Sequence, residues 1–383
     1  MRVTDRQQVD ALLRAIQRIQ GNIGDRNEQV SSGKRVNRPS DDPAASERIN
    51  QFRNVLRTTD QRLATVNEGV GRLNLSDSVL GTAGNTVQRA IELALNMASD
   101  TNTPVERRNA ALEVQQIILG LAGIANTQLN GRFVFAGSQT QSEPFVPGSA
   151  TGSASITNGG SANIAVSVAT ASALQPDAYQ IQFTSSTQFD VLNLTTNQTV
   201  SSGNTYSSGA AFSFDGLDAT ITDGGGPPAA GDQFFVRVGY TYQGDGAGIE
   251  VEIGDGRTVE TNVPGNQVFS GPTVDLFQDL QDFHQALVTN DGKGIQAAIG
   301  QLNQSHSQVT DARATIGARV NRLDTIKDGL DLLSVNTQTL RSNFEDADIA
   351  QVASDLATLQ NTLEASMSTL ARQFQTSLLN FIK

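Results

Sequence analysis

One stretch near the C-terminal end constrains this chain more than any other. Apolar residues fall at Ile349, Val352, Leu356, Leu359 and Leu363, then at Leu370, Phe374, Leu378 and Phe381. Steps of three and four place them on one face of a helix. No proline or glycine interrupts residues 349–383. The spacing therefore predicts one helix, roughly 50 Å long at about 1.5 Å per residue. A long helix with a single apolar seam is made to lie along another helix.

The other end of the chain offers a mate of matching period: Val9, Leu12, Ile16, Ile19 and Ile23, then Val30, with Arg26 filling one gap. Gly21 and Gly24 weaken that helix by about 1 kcal/mol each, so alone it is marginal. Pairing of the two terminal helices is the expectation; two amphipathic helices packed in separate places would show the same pattern.

Between the ends the order is helical, β, helical. Residues 31–40 are polar and turn-rich, and Asp41 or Asp42 then caps a helix with Pro43 in its first turn. Its stripe runs Ile49, Phe52, Leu56, Thr59, Leu63, Val66, Val70, Leu73, Leu80, Val87, Ala94, with Asp77 and Gly84 as weak spots. Ordinary globular helices average about a dozen residues, so this reads as a rod. Thr103-Pro104-Val105-Glu106 is a capping box. It opens a helix with Ala111 or Leu112, Val114, Ile118, Leu121 and Ala125 inward, which Asn130-Gly131 is expected to stop before a strand at 132–137.

From about Gly148 the composition changes. Residues 150–238 hold six acidic residues, one basic residue, Arg237, and no lysine. Short alternating runs at 164–168, 179–183, 212–214, 219–221 and 234–238 read as a β module, and Ile249 to Ile253 as half of a hairpin. Helices return at Val274 and at Ile295. The second repeats through Ile299, Leu302, His306, Val309, Arg313, Ile316, Val320, Leu323, Lys327 and Leu330, and the pattern breaks at 341–348 before the final helix. The expected fold is mainly α with β: an elongated rod of long helices from both chain ends, with a β hairpin region and an inserted β domain at the far tip. The expected boundaries are 1–40 and 344–383 for the terminal coiled coil, 41–149 and 273–343 for the helical rod, 150–238 for the insertion and 239–272 for the hairpin region.

The chain offers little for catalysis. There is no cysteine, and His284 and His306 are its only histidines, both on or beside apolar stripes. Gly244-Asp245-Gly246 and Gly254-Asp255-Gly256 lack the acidic ladder of a calcium loop and the lysine of a phosphate loop, so hairpin turns are the simpler account. Asp41-Asp42 reads as a cap and not a metal site, no Gly-x-Ser-x-Gly elbow is present, and the Asn-x-Thr triplets at Asn193 and Asn197 sit in a polar stretch where chance explains them. A net charge of −12 disfavours general nucleic-acid binding. No apolar run reaches eighteen residues and no secretory signal core is present, so neither a membrane span nor a cleaved signal is expected. No enzyme activity, metal or cofactor is expected.

Two motifs then carry a resemblance. Ser31-Ser32-Gly33-Lys34-Arg35-Val36-Asn37 with Pro39-Ser40-Asp41-Asp42-Pro43-Ala44, and Arg313-Ala314-Thr315-Ile316-Gly317-Ala318-Arg319-Val320-Asn321-Arg322-Leu323, resemble the N- and C-terminal motifs of the bacterial flagellin superfamily. Within it, Met1 to Thr4, Asn130 to Ser138, Pro144 to Val146, Tyr240 to Asp245, Ile253 to Val259 and Ser377 to Lys383 resemble the subunits that join hook to filament more than filament flagellin. Residues 150–238 depart from that pattern and resemble modules of larger hook-associated proteins. The resemblance implies a structural adaptor that self-associates through its terminal helices, with Val9, Leu12, Ile16, Ile19, Ile23, Ile349, Val352, Leu356, Leu359, Leu363, Leu370, Phe374, Leu378 and Phe381 as the seam. It implies hook-associated protein 1 and flagellin as neighbours, a cytoplasmic export chaperone on the C-terminal helix, and a place in the extracellular flagellum after export without a cleaved signal. Filament flagellin is the near alternative; a ligand-binding or adhesive β-domain protein is the remote one.

Overall fold

The structure is a computed structural model. It describes the backbone of residues 2–254, 256–271 and 273–382, and the side chains of residue 7 and of residues 9–254, 256–271 and 273–372. The chain divides into two compact units, residues 1–64 with 327–383, and residues 65–326. Helices α1 (Arg2–Ser32), α2 (Pro43–Met97) and α3 (Pro104–Ala125) come first. Twelve strands follow: β1 (Gln128–Leu129), β2 (Arg132–Phe133), β3 (Phe145–Ala154), β4 (Asn163–Val168), β5 (Ala178–Ser185), β6 (Gln188–Asn193), β7 (Gln198–Thr205), β8 (Ala211–Phe214), β9 (Leu217–Thr222), β10 (Gln233–Tyr242), β11 (Glu250–Gly254) and β12 (Arg257–Glu260). Helices α4 (Gly265–Val268), α5 (Leu276–Val288), α6 (Gly292–Glu345) and α7 (Ile349–Ile382) complete the chain. In chain order, long terminal helices flank a central β region.

In the first unit α1 lies along α7, and Arg26 reaches Asp355 across the pair at 3.4 Å. Beneath them Val36, Ala45 and Ile49 form a small core against Phe344, whose ring sits 6.0 Å from Phe52. Asp42 is the cap of α2: its Oδ1 accepts the Ala45 amide at 3.0 Å. Asp41 has a different task, accepting the Asn37 and Arg38 amides to hold the loop shut.

In the second unit α2 and α6 pack through heptad positions. Val66, Leu73, Leu80, Val87 and Ala94 from one, and Ile295, Leu302, Ile316 and Leu323 from the other, are completely buried. The weak spots in the stripe of α2 are accommodated. Asp77 accepts from Arg313 Nε at 2.9 Å, and Gly84 faces His306 and Val309. The capping box on α3 forms, and Ala111 turns inward while Leu112 is 52% exposed. Helix α6 runs on to Glu345, through residues where the apolar repeat stops.

Asn130-Gly131 does not end α3, which stops at Ala125 with Asn126 as its cap. The pair forms the two-residue turn of the β1–β2 hairpin, with φ of 52° and 75°, the backbone that a tight hairpin demands. Only Arg132–Phe133 of the expected strand is paired. Val134, Phe135 and Ala136 are buried in a turn that closes on Asp245. At Gly137 φ is +68°, and a Cβ there would overlap Asp245 Oδ1.

The β module is two antiparallel sheets, ordered β3-β10-β5-β6-β7 and β4-β9-β8, enclosing Tyr179, Ile181, Phe183, Phe189, Val191, Leu217, Ile221, Phe234 and Val236. Strands β3 and β10 pair from Phe145↔Tyr242 out to Ala154↔Phe234, so the module grows from a ladder rooted beside the helices. At that root Phe145 packs on Tyr242, Phe269 and Phe277. Arg237 donates to the Gln281 carbonyl and to Asp282, and Gln281 Nε2 donates to the Val238 carbonyl.

Candidate assembly surface

Within one chain the expected seam residues that are described are covered unevenly. On α1, Ile16 is buried at 6% exposure, while Val9, Leu12, Ile19 and Ile23 are half-buried. On α7, Val352 is buried at 5%, and Leu356, Leu359, Leu363 and Leu370 are half-buried. Ile349, the first residue of α7, faces outward at 45% exposed. Phe374, Leu378 and Phe381 lie outside the described side chains. Two helices have one shared line of contact, so each keeps apolar surface on its flanks. Leu13 and Met367, which the heptad reading passed over, are 41% and 51% exposed on those flanks.

The cap of α7 also went unread. Asp348 Oδ1 accepts the Ala350 and Gln351 amides, and the signal was present as an Asp immediately before the first apolar residue. Below α1 and α7, the turn after α1 and the turn before α7 are bonded to each other. Ala347 N donates to Gly33 O at 3.0 Å and Arg35 N to Glu345 O at 2.7 Å.

The groups with chemical potential serve the fold. His284 is 5% exposed, and burial, with the Arg237 guanidinium adding to it, pushes its pKa down to about 4. Asp245 is held below the usual carboxylate range by the Ser138 hydroxyl and amide, so Gly244-Asp245-Gly246 is an anchored coil and not a hairpin turn. A hairpin does join β11 to β12, with Gly254 opposite Arg257; Asp255 lies outside the described residues. In the β module, Asp177, Asp190, Asp218, Asp223 and Asp232 each accept a local side-chain or backbone donor. Among the described residues no group of three or more His, Asp or Glu could hold a metal, and no helix is long and apolar enough to cross a membrane.

The sequence matches the bacterial flagellin N-terminal helical region over residues 6–140 and the bacterial flagellin C-terminal helical region over residues 299–382. Together these span more than half of the chain and carry α1 and α7. The chain belongs to the bacterial flagellin superfamily. Residues 153–238 match the D2-like domain of flagellar hook-associated protein 1, which is the β module. Flagellar hook-associated protein 3 of Salmonella typhimurium is 33% identical over 119 residues, 31% of this chain and 38% of that protein. The chain thus aligns with under two fifths of that relative's length. Polar flagellin C of Vibrio parahaemolyticus is 24% identical over 371 residues, 91% of this chain and 90% of that protein. The solved structure titled as a putative flagellar hook-associated protein from Vibrio parahaemolyticus shares the fold, with a TM-score of 0.52 at 13% identity over 80% of this chain and all of that one.

Proposed function

We propose that this chain is a non-enzymatic adaptor subunit at the hook–filament junction of the bacterial flagellum, assembling through α1 and α7. The observation that carries this reading is the incompletely covered α1–α7 seam, lying at the two chain ends that match the flagellin helical regions. Hook-associated protein 3 relatives support the junction role. In the assembly, copies related by helical symmetry would bury Val9, Leu12, Ile16, Ile19, Ile23, Ile349, Val352, Leu356, Leu359, Leu363 and Leu370 in a tubular core, and Phe374, Leu378 and Phe381 would extend that seam. Residues 1–40 and 344–383 form its coiled-coil domain, 41–149 and 273–343 its helical rod, 239–272 its hairpin region and 150–238 its inserted domain. Hook-associated protein 1 and flagellin are its neighbours. An export chaperone covers the apolar face of α7 before the chain leaves the cell without a cleaved signal.

Deletion of 349–383 tests the reading. The truncated chain should stay folded and soluble, yet bind no chaperone and form no junctions. Filament growth supported by the truncated chain would overturn the role given to α7. A second reading, filament flagellin, is favoured by the match to polar flagellin C along 91% of the chain. Labelling the protein in cells separates the two, since a junction subunit occupies a short band and a flagellin the whole filament.

A further inference from the structure

The sequence holds two Asn-Gly pairs, Asn130-Gly131 and Asn158-Gly159. In this dipeptide the backbone nitrogen of glycine can attack the carboxamide of the asparagine before it, because no Cβ stands in the way. The fold treats the two pairs oppositely.

At Asn158 both reacting groups are held. Its Nδ2 donates to the Gln233 carbonyl and its Oδ1 accepts the Gln233 amide, both at 2.8 Å. The Gly159 amide, which would have to attack, donates to Asp232 Oδ1 at 2.9 Å, and Asp232 is itself buried.

At Asn130 neither group is held. Asn130 and Gly131 are exposed at the tip of the β1–β2 hairpin. Among the described residues no hydrogen bond restrains the Asn130 carboxamide or the Gly131 amide, and a Cβ at Gly131 would meet nothing within 4 Å. The left-handed turn must open before the two groups meet. One rung, Leu129↔Arg132, closes it, so opening leaves Gln128↔Phe133 and the bond from Val134 N to Thr127 O in place. Fraying so short a ladder at an exposed tip costs little. The exposed Arg132 follows Gly131 directly, and its positive charge favours the deprotonated amide that attacks.

We propose that Asn130 is a self-modification site, converting without an enzyme to aspartate and isoaspartate. The deprotonated Gly131 nitrogen bonds to Asn130 Cγ, the bond from Cγ to Nδ2 breaks, and ammonia leaves with the proton. Water then opens the five-membered imide. Cleavage of the nitrogen from Cγ leaves ordinary aspartate, which suits the same turn. Cleavage at the backbone carbonyl leaves isoaspartate, whose main chain runs through Cβ and Cγ. That extra atom spoils the register set by a two-residue turn, so the hairpin that leads into the buried Val134, Phe135 and Ala136 loosens as the chain ages.

Incubation of the full chain at pH 8 tests this whatever the chain assembles into. Peptide mapping by mass reads each site, with an isoaspartate-specific methyltransferase as the probe for the rearranged product. In the folded chain Asn130 should react at least roughly tenfold faster than Asn158, because only Asn158 is locked. In concentrated urea the two rates should converge, since nothing then holds either pair. Asn130→Ser should remove most of the isoaspartate formed by the folded chain, and lowering the pH should slow the reaction by protonating the attacking amide. Equal rates at the two sites in the folded chain, or a faster Asn158, would overturn the proposal. So would an Asn130 that stays intact when folded and reacts only in urea.

Discussion

His284, beside an apolar stripe in the sequence, is buried in the structure. It lies on α5, and the fold leaves it only 5% exposed, near Arg237. Its folded pKa of about 4 lies below the ordinary value of 6.5. For a base that is depressed on folding, the native state binds fewer protons than the unfolded one, so stability is full above pH 6.5 and declines as the pH falls toward 4. The loss amounts to about 3 kcal/mol over that window. Replacing His284 with Gln should remove this share of the pH dependence, read as the urea midpoint at pH 7 and pH 4.5. An unaltered difference between the two midpoints would mean that folding does not shift the His284 pKa. Glu345 lies further beyond the reach of sequence: nothing in Asn343-Phe344-Glu345-Asp346 announces that Lys34 and Arg53 converge on it.

At the scale of elements, local chemistry was legible where a single physical cause dominates. Thr103 and Glu106 satisfy each other's backbone amides without help from the rest of the fold. Thr103→Ala should therefore cost about 1 kcal/mol, measurable by chemical denaturation, while leaving helicity elsewhere unaltered; a change below a few tenths would place the start of α3 under tertiary control. Asn130-Gly131 was misread because the same dipeptide suits a helix stop and a two-residue hairpin turn. Strand β7 and the outer part of β3 escaped notice because their exposed positions are mostly Ser, Thr and Gly, so alternation fades. The last turns of α6 escaped for a related reason. Phe344 and Glu345 are held by the turn after α1 and by α2, not by a repeat of their own.

For the molecule, the point of attachment of the β module decides how separable it is. Strands β3 and β10 are paired well before the module's sheets meet, and Thr151 sits opposite Arg237. Replacing residues 152–236 by Asn-Gly should leave a closed hairpin, with Arg237 still bonded to Asp282 and the Phe145–Tyr242–Phe277 cluster in place. The shortened chain should stay soluble and unfold cooperatively, losing mainly the β signal in circular dichroism and the bond from Gln115 to the Pro176 carbonyl. Aggregation or loss of helical signal would show that the module is part of the helical core.

Sequence by itself determined the long helices, the capping box of α3, the main apolar stripes and the helical–β–helical order, because periodicity and capping depend on neighbours a few residues away. It also carried the resemblance at both chain ends. Tertiary structure alone decided whether α1 meets α7, which of Ala111 and Leu112 turns inward, how deep His284 lies and which cations gather on Glu345. Those outcomes rest on groups tens to hundreds of residues apart, brought together only when the whole chain closes and water is excluded between them.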